Sequence, residues 1–185
     1  NKVKKQFLLS KFNIQSDNYV LFTYHPSLEE VNKKTIHVLK KILFSLIKSK
    51  YTVVATHPGM EFQNNHIKML YNNLKLNKYF IVFPNLGSFN YLNLLKNSKC
   101  IIGNSSSGLI EAPYFKIPTI NIGNRQYGRI RHESVIDCEL NYKEFEKMLN
   151  RLNNEKFKNR IRKMKYQFGE NTISKKIYNY ILRDD

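Results

Sequence analysis

The sequence predicts one Rossmann-like α/β domain, a parallel sheet flanked by helices and followed by a helical C-terminal tail, over residues 1–185. Three observations carry that expectation. Short, mostly apolar segments recur along the chain, as strands buried on both faces require. Amphipathic segments with helical spacing separate them. No repeat, low-complexity tract or Pro/Gly-rich linker divides the 185 residues, a length that suits one well-cored domain.

Taken in order, YVLFTY at Tyr19–Tyr24 reads as the first strand. Leu28–Lys48 carries Val31, Ile36, Leu39, Ile42, Leu43, Leu46 and Ile47 on one helical stripe. Strands follow at Tyr51–Thr56, Tyr79–Phe83, Lys99–Ile102, Thr119–Ile122 and Val135–Cys138. Helices are expected at Ile67–Leu76, at Phe89–Lys96 and in a short piece after the serines at 105–107. From Tyr142 to Leu182 the pattern reads as helix throughout.

The formal net charge of +17 invites a nucleic-acid reading, but its distribution argues against one. Many of the basic residues, such as Lys40, Lys41 and Lys48 or Arg160, Arg162 and Lys163, fall at spacings that give solvated helix faces. No helix-turn-helix, zinc-finger or RNP pattern accompanies them, so no specific nucleic-acid partner is expected. The apolar runs are strand-sized and the lysine-rich start leads into no apolar h-region, so the expectation is a cytoplasmic chain without a membrane span. Cys100 and Cys138 sit in strand-like surroundings and read as buried thiols. The chain begins at Asn1, which reads as a piece of a longer protein.

In such a sheet, ligands sit outside the carboxyl ends of the strands. The unusual residues fall on the loops there: His25-Pro26, His57-Pro58-Gly59, Pro84-Asn85-Leu86-Gly87, Gly103–Gly108 and Gly123–Arg131. In IIGNSSSGLIEAP, Gly103 permits a sharp exit from the strand, and Ser105 to Gly108 bring hydroxyls and unpaired N–H groups to a helix start, where an anion is favoured. Serine N-capping is the plain alternative, yet one cap needs one serine. Glu111 has no Ser or Thr three residues before it to close a capping box, and its carboxylate suits a ribose diol. Downstream, Arg125, Arg129 and Arg131 share a glycine-containing loop, which reads either as a solvated basic loop or as a diphosphate clamp, with Arg125 the candidate. His25 reads equally as a packing histidine or as a group beside the sugar or diphosphate, and His57 has weaker support.

His25-Pro26 after YVLFTY, then GNSSSGLIEAP, KIPTINIGNRQYGR and ESVID, resemble the carboxyl-terminal half of the hydrolysing UDP-N-acetylglucosamine 2-epimerases. That resemblance implies one half of a two-domain architecture of the epimerase and glycosyltransferase type, with the nucleotide sugar in the cleft between the halves. It implies Ser105 and Ser106 at the diphosphate, Glu111 at the ribose, Leu86 at the uracil through its backbone, Arg125 at the phosphate region and His25 in the catalytic cleft. The implied reaction is anti-elimination of UDP to a 2-acetamidoglucal, then hydration to a free C2-inverted sugar of the N-acetylmannosamine type, as used in sialic-acid synthesis. It needs no metal or redox cofactor. The implied partners are the UDP-sugar, an amino-terminal half that carries the proton-moving carboxylates, and a second copy of the complete protein in a homo-oligomer. This chain alone is then expected to be inactive. One departure stands out, since the family's Pro-Asn-x-Asp-like segment is replaced by His57-Pro58-Gly59-Met60-Glu61, with Gly59 at the asparagine position. The donor-binding domain of a nucleotide-sugar glycosyltransferase and a non-catalytic nucleotide-binding module remain alternatives, as does guanosine in place of uridine.

Overall fold

The computed structural model describes residues 4–26, 32–58, 65–169 and 172–182. Six strands form a single parallel sheet: β1 (Tyr19–Thr23), β2 (Thr52–Thr56), β3 (Phe80–Phe83), β4 (Ile101–Gly103), β5 (Thr119–Ile122) and β6 (Val135–Cys138), in the order β3-β2-β1-β4-β5-β6. The chain builds outward from β1 to β3, then returns to lay β4 on the other side of β1. The reversal between β1 and β4 opens a crevice at their carboxyl ends, the usual ligand position in open α/β sheets. There Thr23 pairs in register with Gly103.

Each expected strand is present, and the expected helices lie between them. Helix α2 (Lys33–Lys48) starts where Asn32 accepts a 2.9 Å hydrogen bond from the Thr35 N–H, and it buries Leu39, Ile42, Leu43 and Leu46 completely. Burial of such a side chain contributes about 1.5–3 kcal/mol. The first part of the expected helix, 28–31, lies outside the described residues, as does Gly59. Helices α3 (Asn65–Leu74), α6 (Tyr142–Leu152) and α7 (Glu155–Lys163) join α2 over one core, built on Val20, Phe22, Val53, Ile102 and Ile120. The opposite core gathers Tyr19, Leu21, Val54 and Ile101 with Leu94 and Leu95 of α4 (Gly87–Asn97) and Ala112 of α5 (Glu111–Tyr114).

Two features differ from the expectation. A helix, α1 (Lys5–Lys11), precedes β1 and sends Leu8 and Leu9 into the second core. Two leucines in a lysine-rich heptamer are too short a stripe to signal a helix by period. The tail is also not helical throughout. After α7, Met164 turns extended, and residues 164–169 run without helix before α8 (Ile173–Ile181). The cause is side-chain packing: Met164 is buried, and Tyr166 and Phe168 close around His132. Helix α8 buries none of its residues. Cys100 and Cys138 are buried and free, and desolvation pushes both thiols up to about 12. No helix among the described residues is long and apolar enough to cross a membrane.

Candidate functional site

Gly103 ends β4 at φ +134°, and a Cβ there would stand 1.9 Å from the Thr23 carbonyl oxygen. No other residue type fits this approach of two backbones. The next residue, Asn104, is 1% exposed and ties together three loops of the rim. Its Nδ2 donates to the His25 carbonyl and its Oδ1 accepts from the His25 N–H, both at 2.7 Å. Its own carbonyl accepts from Arg125 Nη1 at 3.1 Å and from Gln126 Nε2 at 2.7 Å. Asn104 therefore sets where His25 and the arginine loop stand relative to the serine turn. Sequence reasoning had no signal for this beyond a polar residue directly after a buried strand.

Next to Asn104, Ser105 caps a 3-10 turn over Ser106–Gly108, its hydroxyl accepting from the Ser107 N–H at 3.3 Å. The capping role and the rim position thus coexist in one residue. A cavity of about 710 Å³ spans the carboxyl ends of β3, β2, β1 and β4. His25, Leu86 and Ser105 line it together with His57, Lys68, Tyr91 and Ser107. Ser106 lies outside that lining. Leu86 is 6% exposed, and its carbonyl accepts from Asn90 Nδ2 at 2.9 Å. Gly87 follows with φ +66°, its N–H held by Asn85 Oδ1 at 2.7 Å, so the loop after β3 is fixed. Burial pushes the Tyr91 hydroxyl up, with the nearby Ser107 and Thr23 hydroxyls opposing the shift and Glu111 adding to it. Tyr91 Oη, Ser107 Oγ and His57 Nδ1 are nonetheless buried atoms that complete no hydrogen bond. Desolvation holds His57 below its ordinary value, assisted by Lys75 and Lys68.

Glu111 opens the first turn of α5, and it lines a second cavity of about 450 Å³ with Tyr114, Tyr166 and Phe168. Its Oε2 is buried without a hydrogen bond. The wall behind it is aromatic, with His132 stacked on Tyr166 at 5.2 Å and His132 Nε2 accepting from the Gln167 N–H at 3.0 Å. Burial lowers the His132 pKa, opposed by the Leu109 backbone. Of the three arginines, Arg131 is committed to Asp137, its Nε reaching both carboxylate oxygens at 3.1 and 3.0 Å. Arg129 is exposed, while Arg125 is anchored to the serine-turn side by Asn104.

A crevice at a topological switch, a glycine that only a tight strand exit explains, and a capped serine turn form a site for an anionic ligand with an extended body. A family profile described as UDP-N-acetylglucosamine 2-epimerase matches residues 1–182. The chain belongs to this epimerase family. It is 38% identical over 141 residues to a Campylobacter jejuni protein named GDP/UDP-N,N'-diacetylbacillosamine 2-epimerase (hydrolyzing), covering 75% of this chain and 36% of that protein. It is 34% identical over 158 residues to the Escherichia coli polysialic acid biosynthesis protein P7, covering 83% of this chain and 39% of that protein. The chain thus spans well under half the length of these epimerase-family relatives. In fold it is similar to the Methanocaldococcus jannaschii UDP-GlcNAc 2-epimerase solved with UDP-GlcNAc and UDP, with a TM-score of 0.75 and 22% identity over 97% of this chain and 49% of that one. The Escherichia coli ADP-heptose heptosyltransferase II gives a TM-score of 0.60 at 12% identity, covering 81% of this chain and 52% of that one. The epimerase fold and the glycosyltransferase fold share this sheet.

Proposed function

We propose that this chain is the nucleotide-binding half of a hydrolysing 2-epimerase that takes a UDP-sugar, releases UDP and yields a free C2-inverted 2-acetamido sugar. The observation that carries this is a cavity of about 710 Å³ that brings His25, Leu86 and Ser105 onto one surface at the switch between β1 and β4. Four of the six proposed contacts then divide along the rim. The Leu86 loop takes the base, the serine turn takes the diphosphate, and Arg125 beside it adds positive charge as the leaving diphosphate gains its own. His25, fixed by Asn104, stands at the edge facing the reacting sugar. Ser106 and Glu111 lie outside the large cavity, Glu111 in the lining of the second one.

In the elimination step a base removes the C2 proton while the C1–O bond to the diphosphate breaks. Water then adds across the resulting glucal. This chain's part is to hold and neutralise the departing UDP, and the amino-terminal half supplies the base. The polypeptide with both halves should convert UDP-N-acetylglucosamine or UDP-N,N'-diacetylbacillosamine to UDP and a free sugar inverted at C2. Release of an intact C2-inverted UDP-sugar would refute hydrolysis, and sugar transfer to an acceptor would assign the chain to a glycosyltransferase.

A further inference from the structure

Helices α2 and α3 pack side by side over one face of the sheet, and a groove of about 470 Å³ runs between them. Leu70 and Leu74, 5% and 4% exposed, form its floor, while Phe44 and Met69, 47% and 62% exposed, stand at its edges. The lining extends from Ile36 to Phe44 on α2 and from His66 to Leu74 on α3, about 12 Å of helix on each side. That length accepts about two turns of a further helix. The groove shares no residue with the cavity at the strand ends.

Charge selects the occupant. The two helices carry Lys33, Lys34, Lys40, Lys41, Lys48 and Lys68 and no aspartate or glutamate. None of these lysines joins an ion pair among the described residues, where the pairs fall on other elements. The acidic residues nearest in sequence, Glu29, Glu30 and Glu61, lie outside the described residues. Helices α6 and α7 of the same layer instead interleave Glu144, Glu146 and Glu155 with their bases. At the groove itself the Lys40 ammonium stands over the Phe44 ring at 5.9 Å, so positive and apolar surface meet there.

A second copy of this chain is a poor occupant, because a two-fold contact would set these lysines against their own equivalents. An anionic bilayer takes up apolar groups that protrude, whereas the leucines here are recessed between two helices. A recess of this shape is filled by the apolar stripe of a partner helix, and a methionine at its edge adapts to the guest. We propose that the groove between α2 and α3 docks an acidic amphipathic helix of another protein. Its apolar stripe lies on Leu70 and Leu74 between Phe44 and Met69, and its carboxylates face Lys40 and the neighbouring lysines of α2. So small a contact makes a weak, salt-sensitive complex, with a Kd on the order of 10–100 μM.

The test is fluorescence anisotropy of a labelled peptide of about fourteen residues, with leucine along one helical stripe and glutamate elsewhere, titrated with the 185-residue chain. A peptide of the same composition in scrambled order should bind at least about fivefold more weakly. Met69→Glu and Lys40→Glu, both at exposed positions, should each weaken binding about tenfold. Lys96→Glu on α4, at the opposite face of the sheet, makes the same charge change and should alter binding less than about twofold. Melting curves accompany the titrations, and should one groove variant unfold, the other decides. Absence of binding by the unsubstituted chain overturns the proposal. Equal binding of the scrambled peptide, or an equal loss with Lys96→Glu, reduces the effect to net charge and overturns it too. Displacement of the peptide by phosphatidylserine vesicles that themselves lose hold in the groove variants would make the surface a membrane contact. Peptide binding by this chain but not by the polypeptide with both halves would give the groove to the amino-terminal half.

Discussion

At the residue scale, Asn104 and Glu111 make opposite demands on the fold. Asn104 completes four hydrogen bonds through its side-chain amide and its carbonyl. Asn104→Ala removes its two side-chain bonds to the His25 N–H and carbonyl, a loss of about 2–4 kcal/mol. The expected outcome is a lowered melting temperature together with weakened UDP binding, since His25 loses its tie to the serine turn, while the bonds from Arg125 and Gln126 to the residue-104 carbonyl remain. A stable Asn104→Ala protein with unchanged affinity would show that the three loops hold themselves. Glu111 is the converse, because its Oε2 is buried and unpaired in the free chain. Glu111→Gln should leave stability unchanged or raised. UDP affinity should fall by the strength of a charge-assisted bond, about 1.5–3 kcal/mol, if the carboxylate binds the ribose diol. Equal losses for UDP and its dideoxy analogue would assign Glu111 to the helix instead.

At the scale of elements, the serine turn is where structural and ligand roles meet. Ser105 already caps the turn, so replacing Ser105 and Ser106 together with valine removes both the cap and two hydroxyl donors. The cap is worth about 1 kcal/mol of stability, a small loss, whereas nucleotide binding should weaken by tenfold or more. Thermal melting and calorimetry on the same sample separate the two, and collapse of the fold with normal binding by the remaining folded protein would make the serines structural. This turn was legible in the sequence because glycines and serines between a buried strand and an apolar run have few other uses. The strands were equally legible, as short, mostly apolar runs, with β1 and β5 buried along their whole length. What escaped was set by tertiary contact alone. Asn104 and His132 acquire their roles from partners 79 and 35 residues away in sequence, counting from His25 and Gln167. Helix α1 and the non-helical stretch 164–169 escaped for the same reason, since Leu8, Leu9, Tyr166 and Phe168 are fixed by what they pack against.

At the scale of the whole molecule, the site is open on one side. The large cavity lies at the rim of one sheet, and the chain spans only 36% and 39% of the two relatives described above. Pockets that turn over a small ligand enclose most of its surface, so binding and turnover should part company here. Calorimetry should find UDP bound weakly by the isolated 185-residue chain, and a product assay with a UDP-sugar should find no free sugar. On the function proposed above, residues of this chain would serve the nucleotide end of the ligand, and removal of the C2 proton would need a base on a facing wall. Adding the amino-terminal half, as one polypeptide, should restore turnover and tighten UDP binding together, because both depend on closing the same cleft. Multiple turnovers by the 185-residue chain alone would mean that its own His25 or His57 supplies the base, and the half-enzyme reading would fall. Tight UDP binding without turnover even in the two-domain protein would instead establish a regulatory nucleotide-binding module.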